Sequence, residues 1–359
     1  MNDINSGLMA LLTAVAACSS IVGDEALPSL RVENVRRVDF EGPHNAFTDL
    51  CQFRGRFYLT FRSCPDGHMV HPTSSIVVLA SDDTVTWHKV HQFSVARRDD
   101  VRDPHFLVFR DRLFVYTGTW YCGDSSPKTR DLNQHLGYCA HSADGDVWTD
   151  PVMLEGTYGH YIWRAATADG KAWLCGRRKK EFSDAPGSDR SAIQSALLVS
   201  EDGLVWRTHS LFQETQGDET AFIFQPDGSI LAVARRGSGH AEVCRSDPPF
   251  LIWDRRPLDR YIGGPLVTQW GSHLLVGGRN TTPNGPRTVL SWLTGTSTLT
   301  TGIQLPSDGD NSYPGLVPLE DRHALLSWYS THERDSNGKP FTGIYLADLW
   351  MDPAKTGSE

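Results

Sequence analysis

Hydrophobic residues along the chain fall into pairs of short apolar stretches, and a tight turn separates the two members of each pair. Six such pairs lie between residues 31 and 350, and turns such as Arg54-Gly55 and Asp227-Gly228 have the chemistry of β-hairpins. No stretch after residue 30 keeps a helical period over eleven or more residues. The pattern therefore predicts an all-β protein, a six-bladed β-propeller of four-stranded antiparallel blades. A β-sandwich or a parallel β-helix is the alternative.

A second repeat, with the pattern S-x-D-(G/T)-x-x-W, supports the same architecture. Its three complete copies are Ser81–Trp87, Ser142–Trp148 and Ser200–Trp206, and a longer, degenerate copy is Ser246–Trp253. The Ser and Asp side chains can bind backbone N–H groups of a tight turn, and the Trp can anchor that turn in apolar packing. The copies are about 46 to 61 residues apart, which suits one four-stranded blade per copy.

Composition narrows the class of function. The 359 residues are 39% hydrophobic and 21% charged, which is typical of a soluble globular protein. The net charge of −9 gives the chain no positive field to hold a phosphate backbone, so nucleic acid is not an expected partner. The seven cysteines show no CxxC pair and no zinc spacing. We therefore expect neither a metal nor a cofactor.

The N-terminus has features of an export signal. An apolar run of eleven residues, Gly7–Ala17, is too short to span a bilayer and has the length of a signal-peptide core. It ends in Val15-Ala16-Ala17-Cys18, which resembles a bacterial lipobox. The expected organisation is a signal segment at 1–18, a linker at 19–30, the propeller at 31–352 and a tail at 353–359. A monomer exported to the periplasm or cell surface, with a lipid on Cys18 as a possible anchor, is the corresponding expectation.

Blade topology predicts which residues share one mouth of the ring. In an antiparallel blade, the start of the innermost strand and the end of the second strand lie at the same end of the sheet. Four of the six second strands end in arginine, at Arg62, Arg177, Arg235 and Arg279. Guanidinium groups bind carboxylates in a bidentate way, so this rim predicts an anionic ligand. The starts of the inner strands add further charged and polar side chains, among them His44, Arg102, Asp103, Arg164, Glu219 and Tyr313.

The boxes and the rim residues together resemble the sialidase superfamily over residues 31–350. The S-x-D repeats look like the Asp-boxes of that family, and the order Glu219, Arg235, Arg279, Tyr313, Glu333 looks like its active site. The resemblance implies that Glu219 polarises a nucleophilic Tyr313. It also implies that Arg235 and Arg279 bind the substrate carboxylate, and that Glu333 orients the first arginine of the family's triad.

The sequence departs from this family at two functional positions. Where the family has its first arginine, the chain has Gly42-Pro43-His44-Asn45, so either Arg62 replaces it or two arginines and His44 hold the carboxylate. The family's acid/base group is an Asp near the second blade. Asp103 is the expected equivalent because Pro104 and the apolar residues after it put it at a strand start. The other candidates for this role are Asp99, Asp100, His68 and His71.

The function that the resemblance implies is that of an exo-acting glycoside hydrolase, an exo-α-sialidase, which removes a terminal acidic sugar from a glycan. Tyr313, Glu219 and Asp103 are its expected catalytic residues. The expected substrate-binding residues are Arg235, Arg279, Arg62, Arg102, His44, Arg164, His68 and Glu333. Two alternatives stay open: a polysaccharide lyase that acts next to a uronic acid, and a glycan-binding propeller without catalysis.

Overall fold

A computed structural model describes residues 27–97, 99–122 and 131–354. The expected signal segment, Cys18, most of the linker and the last residues of the tail lie outside these ranges. The described residues form strands and three short 3-10 helices, Leu132–Gln134, Lys180–Phe182 and Arg190–Ala192. Among them we find no helix with the length and apolar character needed to cross a membrane.

The strands are short and follow one another along the chain. In chain order they are β1 (Ser29–Arg37), β2 (His44–Phe53), β3 (Arg56–Cys64), β4 (Ser75–Ser81), β5 (His88–Phe93), β6 (Asp100–Phe109), β7 (Arg112–Trp120), β8 (Gly137–Ser142), β9 (Val152–Met153), β10 (Tyr161–Ala168), β11 (Lys171–Lys179), β12 (Ile193–Ser200), β13 (Arg207–Gln213), β14 (Thr220–Phe224), β15 (Ile230–Arg236), β16 (Gly239–Ser246), β17 (Asp254–Pro257), β18 (Gly263–Trp270), β19 (His273–Thr282), β20 (Gly285–Thr294), β21 (Thr298–Gln304), β22 (Asn311–Glu320), β23 (His323–Arg334) and β24 (Pro340–Asp352).

The described strands form a β-propeller of four-stranded antiparallel blades. Four blades are separate sheets, formed by β6–β9, β10–β13, β14–β17 and β18–β21. The remaining eight strands form one sheet, because a single parallel pair between His44 and Thr342 joins β2 to β24. Strand pairing therefore separates four blades rather than the six expected. Within the large sheet, β2–β5 form one antiparallel meander, and β22–β24 with β1 form another.

The S-x-D repeats form tight turns that connect neighbouring strands. In each complete S-x-D repeat the Asp carboxylate accepts two backbone N–H groups, for example from Asp146 and Val147 to Asp144 at 2.9 and 2.8 Å. The Trp148 indole donates to the Gly145 carbonyl at 3.1 Å, which ties the side chain to the turn. These turns connect the third and fourth strands of their meanders. They therefore lie at the end of the ring opposite the starts of the inner strands.

The first strands of the meanders contact one another in a closed series: β2, β6, β10, β14, β18, β22 and again β2. A largely buried ion pair lies where they meet, with its two side chains 13% and 10% exposed. Arg164 of β10 donates to Asp49 of β2 at 2.8 Å, and also to the carbonyls of Pro265 in β18 and Pro314 in β22 at 3.1 and 2.7 Å. Asp49 in turn accepts the Phe106 N–H of β6 at 2.9 Å. Arg164, expected to bind substrate, instead connects strands at the centre of the ring, because protein acceptors already engage all three of its nitrogens.

We predict that Arg164→Met destabilises the protein by about 3–5 kcal/mol, because it leaves the Asp49 carboxylate buried without its counter-charge. Urea unfolding followed by tryptophan fluorescence measures the change. Arg56 provides a matched control, because its partners Asp82 and Asp146 are 78% and 61% exposed. Arg56→Met should cost about 1 kcal/mol or less. Equal losses in the two variants would contradict a special role for the central pair.

Candidate functional site

A cavity of about 380 Å³ opens at the end of the ring where the inner strands begin. Its lining is strongly charged and aromatic. The lining residues are five arginines (Arg102, Arg177, Arg190, Arg235 and Arg279), four acids (Asp103, Asp218, Glu219 and Asp310), six aromatic residues (Phe47, Trp120, Tyr161, Trp163, Tyr313 and Tyr329), and His68, Met69 and Val70. A larger cavity of about 890 Å³ lies beside Trp270, Glu320 and Met351, but it lacks this convergence of ionisable groups. The smaller cavity is therefore the candidate site.

Backbone bulges aim several of these side chains into the cavity. The pairing register shifts near the start of five inner strands, for example between Arg102 and His105 in β6 and between Ser312 and Gly315 in β22. Phe47, Asp103 and Tyr313 lie in three of these shifts, with left-handed φ values of 65, 52 and 49°. A bulge re-aims a side chain, and a non-glycine residue with positive φ is strained. The strain is located at the residues that line the floor of the site.

Tyr313 and Glu219 form the central contact of the cavity. The Tyr313 hydroxyl donates to Oε1 of Glu219 at 2.8 Å. Arg235 donates to the same oxygen at 2.9 Å, and the Gly264 N–H donates to Oε2 at 2.6 Å. Burial opposes ionisation of Glu219, but Arg235 and this N–H outweigh it and lower its pKa to about 2. Glu219 is therefore a carboxylate that can accept the phenol proton.

The phenol itself is neutral. Burial and the neighbouring charges of Asp103 and Glu219 raise the pKa of Tyr313 well above its usual value. The hydroxyl oxygen also lies 3.1 Å from Oδ2 of Asp103, but its single proton can serve only one of the two carboxylates. Both carboxylates thus contact the same phenol oxygen.

Asp103 is held firmly in this position. Its Oδ2 accepts the Tyr161 hydroxyl at 2.7 Å and the Trp163 indole N–H at 2.8 Å, whereas Oδ1 is buried and has no partner among the described residues. Burial raises the pKa of Asp103, with a contribution from Glu219, and Arg102 opposes the rise. The two carboxyl groups beside Tyr313 therefore have pKa values displaced in opposite directions.

The arginines of the cavity differ in how tightly the protein holds them. Arg177 and Arg190 both donate to Asp218, at 3.0 and 2.8 Å. Arg279 makes longer contacts, at 3.3 Å to Asp310 and 3.3 Å to the Tyr261 hydroxyl. Longer hydrogen bonds are weaker, so Arg279 can be recruited more easily by an incoming anion. Arg190 was not among the expected site residues, because it begins the 3-10 helix between β11 and β12 rather than ending a strand.

A histidine cluster lies beside Arg279. His68 Nδ1 lies 2.7 Å from Oδ2 of Asp310 and 3.3 Å from His44 Nε2, and His44 Nε2 lies 3.4 Å from the same Asp310 oxygen. The ligand atoms of these three residues all lie within 4.8 Å of one another, as they would around a metal ion. However, Arg62 Nη1 lies 3.2 Å from His44 Nδ1 and can only donate there. A metal-bound histidine instead donates its second N–H to an acceptor, so this arrangement does not fit a metal.

Several expected site residues lie outside the cavity lining. Arg62 is fully buried and makes a two-pronged contact with Asp100, at 2.8 and 3.0 Å. His44 is buried, its ring lies 5.2 Å from that of His68, and it contacts Asp310 at 3.4 Å. Glu333 pairs with Arg37 on the exterior at 2.6 Å, because β23 continues past the rim towards β1. The remaining acid/base candidates also lie elsewhere: the lining residues do not include Asp99, Asp100 or His71.

Comparisons with known proteins show the type of fold. No protein-family model and no curated protein sequence matches the chain. A solved protein of unknown function from Dyadobacter fermentans is 19% identical, with a TM-score of 0.73, and the alignment covers 90% of this chain and 100% of that one. Trypanosoma rangeli sialidase is 14% identical, with a TM-score of 0.64 and coverage of 88% and 59%, so the chain spans about three fifths of that enzyme.

A mutant of the α-L-arabinofuranosidase from Fusarium graminearum, solved with an iminosugar inhibitor, is 12% identical, with a TM-score of 0.61 and coverage of 88% and 97%. At such identities the likeness concerns the fold. The chain has a β-propeller of the kind found in sialidases and in this arabinofuranosidase.

The lowered pKa of Glu219 predicts a pH-dependent stability. A carboxyl whose folded pKa is about 2 stabilises the fold above its unfolded pKa of 4.5, and this contribution is lost as the pH falls towards 2. Between pH 5 and pH 3, the free energy of unfolding of wild type should fall by about 2 kcal/mol because of this group, and that of Glu219→Gln should not show this fall. Urea unfolding at several pH values tests this. The exposed Glu201 is the control, and Glu201→Gln should follow the wild-type curve; a Glu219→Gln curve parallel to wild type would contradict the assignment.

Proposed function

We propose that the protein is an exo-acting glycoside hydrolase that releases a terminal acidic sugar, in the manner of an exo-α-sialidase. The observation that carries the proposal is the contact of 2.8 Å between the Tyr313 hydroxyl and the ionised Glu219. Arg235 binds that carboxylate, and Arg279 lines the same cavity. A tyrosine with its own base, surrounded by guanidinium groups, is suited to attack an anionic sugar.

The chemistry explains why a phenol is used. A carboxylate nucleophile would be repelled by the charge of an acidic sugar, whereas neutral Tyr313 approaches without that repulsion. As Tyr313 Oη bonds to the anomeric carbon, the bond from that carbon to the glycosidic oxygen breaks, and the leaving oxygen takes a proton from an acid group of the cavity. The phenol proton passes to Oε1 of Glu219, and a covalent glycosyl-tyrosine forms. Water then hydrolyses this intermediate, so the first product keeps the anomeric configuration of the substrate.

The substrate class follows from the cations of the cavity. Arg235 and Arg279 are the proposed carboxylate-binding pair, and Arg102 adds charge nearby. The solved complex of Trypanosoma rangeli sialidase with sialic acid supports an acidic sugar as the ligand of such a propeller. We further infer that the ring has six blades, with β2–β5 and β22–β24 plus β1 as the two blades joined through His44 and Thr342. Export as a monomer, with lipidation of Cys18, is part of the proposal.

A lyase that acts next to a uronic acid is the second candidate. The observation that favours it is His68, which is half-exposed in the cavity and could abstract a proton while Tyr313 donates one to the leaving oxygen.

The reaction products distinguish the two candidate functions. Incubation with aryl sialosides and uronic-acid oligosaccharides should yield a free acidic sugar, detected by NMR with retained configuration. An unsaturated uronate absorbing in the ultraviolet would support the lyase, and binding without turnover would support a non-catalytic propeller.

We predict that Tyr313→Phe lowers kcat/KM on the acidic glycoside by at least about 10³-fold, because the nucleophilic oxygen is lost while the ring still fills its space. Steady-state kinetics with the purified variant measure the loss, and the unfolding temperature reports on the fold. Tyr58→Phe is the matched control, because the Tyr58 hydroxyl is buried without a partner among the described residues and lies outside the cavity. Nearly full turnover by Tyr313→Phe would exclude the tyrosine mechanism.

Arg235→Lys and Arg279→Lys should each weaken transition-state binding by about 1.5–3 kcal/mol, because lysine keeps the charge but loses the planar fork that binds a carboxylate. In steady-state kinetics, kcat/KM should fall by about 10- to 100-fold in each variant. Arg287 is a control in the same blade as Arg279, since it pairs with Asp308 at 2.7 Å outside the cavity. If Arg235→Lys and Arg279→Lys behave like Arg287→Lys, these arginines do not bind the substrate carboxylate.

A further inference from the structure

The proposed hydrolysis requires a proton donor on the side of the sugar opposite Tyr313. In a retaining reaction the nucleophile attacks one face of the anomeric carbon and the leaving oxygen departs from the other. Asp103 was expected to protonate that oxygen. Its Oδ2 contacts the same hydroxyl as Glu219, at 3.1 Å, so Asp103 is placed beside the attacking oxygen. Another group of the cavity has to supply the proton.

His68 is suited to this task. Its side chain is 48% exposed and lines the cavity, and its ring lies 6.0 Å from that of Phe47, which itself lies 5.1 Å from the Tyr313 ring. His68 and Tyr313 therefore flank a common aromatic residue. His68 Nδ1 lies 2.7 Å from Oδ2 of Asp310 and 3.3 Å from His44 Nε2, and within the described part of the chain His68 Nε2 makes no hydrogen bond. A histidine with Nδ1–H on a carboxylate and a free Nε2 is arranged for proton transfer.

The surroundings of Asp310 fix this arrangement. Arg62 donates to His44 Nδ1, so neutral His44 carries its proton on Nε2 and presents an N–H to Asp310. The Tyr329 hydroxyl and Arg279 donate to Oδ1 at 3.0 and 3.3 Å. Burial opposes ionisation of Asp310, but the hydrogen bonds from His44 and His68 lower its pKa strongly. Asp310 is thus an acceptor for His68 and does not itself supply the proton.

We propose that His68 is the acid/base residue of the hydrolysis and that Asp310 is its positioning residue; this inference rests on the proposed function. In the first step Tyr313 Oη bonds to the anomeric carbon, Glu219 receives the phenol proton, and the Nε2 proton of imidazolium His68 passes to the departing oxygen. In the second step neutral His68 takes a proton from water, whose oxygen displaces Tyr313. Glu219 then returns the proton to the phenolate.

The leaving group provides the test. An alkyl glycoside such as sialyllactose needs protonation of its leaving oxygen, whereas 4-nitrophenyl sialoside does not. His68→Gln should lower kcat/KM by at least about 10²-fold on the alkyl glycoside and by less than about 10-fold on the aryl glycoside. Azide should then restore turnover of the aryl glycoside and yield a glycosyl azide of retained configuration. Asp310→Asn should show the same leaving-group dependence to a smaller extent.

His71 provides the matched control, because it is a histidine of the same loop outside the cavity lining, and His71→Gln should match wild type on both substrates. Equal losses on both substrates in His68→Gln, without azide rescue, overturn the assignment of His68 and leave the proposed function intact. Failure of wild type to hydrolyse either sialoside or the corresponding glucuronides overturns the proposed function, and this assignment with it. Loss of wild-type activity on chelation, restored by Zn²⁺, overturns the assignment in favour of a metal held by His44, His68 and Asp310.

Discussion

The ion pair between Arg164 and Asp49 is the contact on which the architecture depends. Its hydrogen bonds reach five of the inner strands, β2, β6, β10, β18 and β22, so it connects segments that are more than 200 residues apart in the chain. The inner strands of neighbouring blades pack side by side, and in the described part of the chain no ladder of backbone hydrogen bonds joins them. Charge-assisted hydrogen bonds at the centre therefore hold together strands that share no ladder.

The same network supports the strained residue of the candidate site. Tyr313 has a left-handed backbone, and its carbonyl accepts the Thr48 hydroxyl at 2.7 Å. The next carbonyl, of Pro314, accepts from Arg164. A bulky residue in this conformation persists only where its surroundings impose it. Closure of the ring and placement of Tyr313, the proposed nucleophile, are thus coupled, and a substitution at the centre should disturb the candidate site.

Ion pairs with acidic side chains explain how the cavity holds five arginines close together. Each is paired: Arg177 and Arg190 with Asp218, Arg235 with Glu219, Arg102 with Asp100 and Arg279 with Asp310. These pairs hold the guanidinium groups in fixed orientations before a ligand arrives. The proposed anionic sugar would therefore bind to groups that need little rearrangement, which lowers the entropic cost of binding.

The sequence by itself determined the strands, the hairpin turns and the end of the ring at which the charged residues gather. These features are local: alternation, turn residues and spacing within one blade specify them. The sequence also contains a signal for the bulges. Proline follows a residue with positive φ in Asp103-Pro104, Gly264-Pro265 and Tyr313-Pro314. Proline donates no N–H, so it fits where a bulge leaves a position unpaired.

Only the tertiary structure decided which charged residues face the cavity. Arg62 and Arg235 both end second strands, yet Arg62 is buried against Asp100, whereas Arg235 lines the site. The role of Asp310 and the merging of two meanders through His44 and Thr342 were likewise not evident from spacing. The reason is physical. A strand's period depends on its own residues, but the partner of a buried charge is set by contacts between blades, which exist only after the ring has closed.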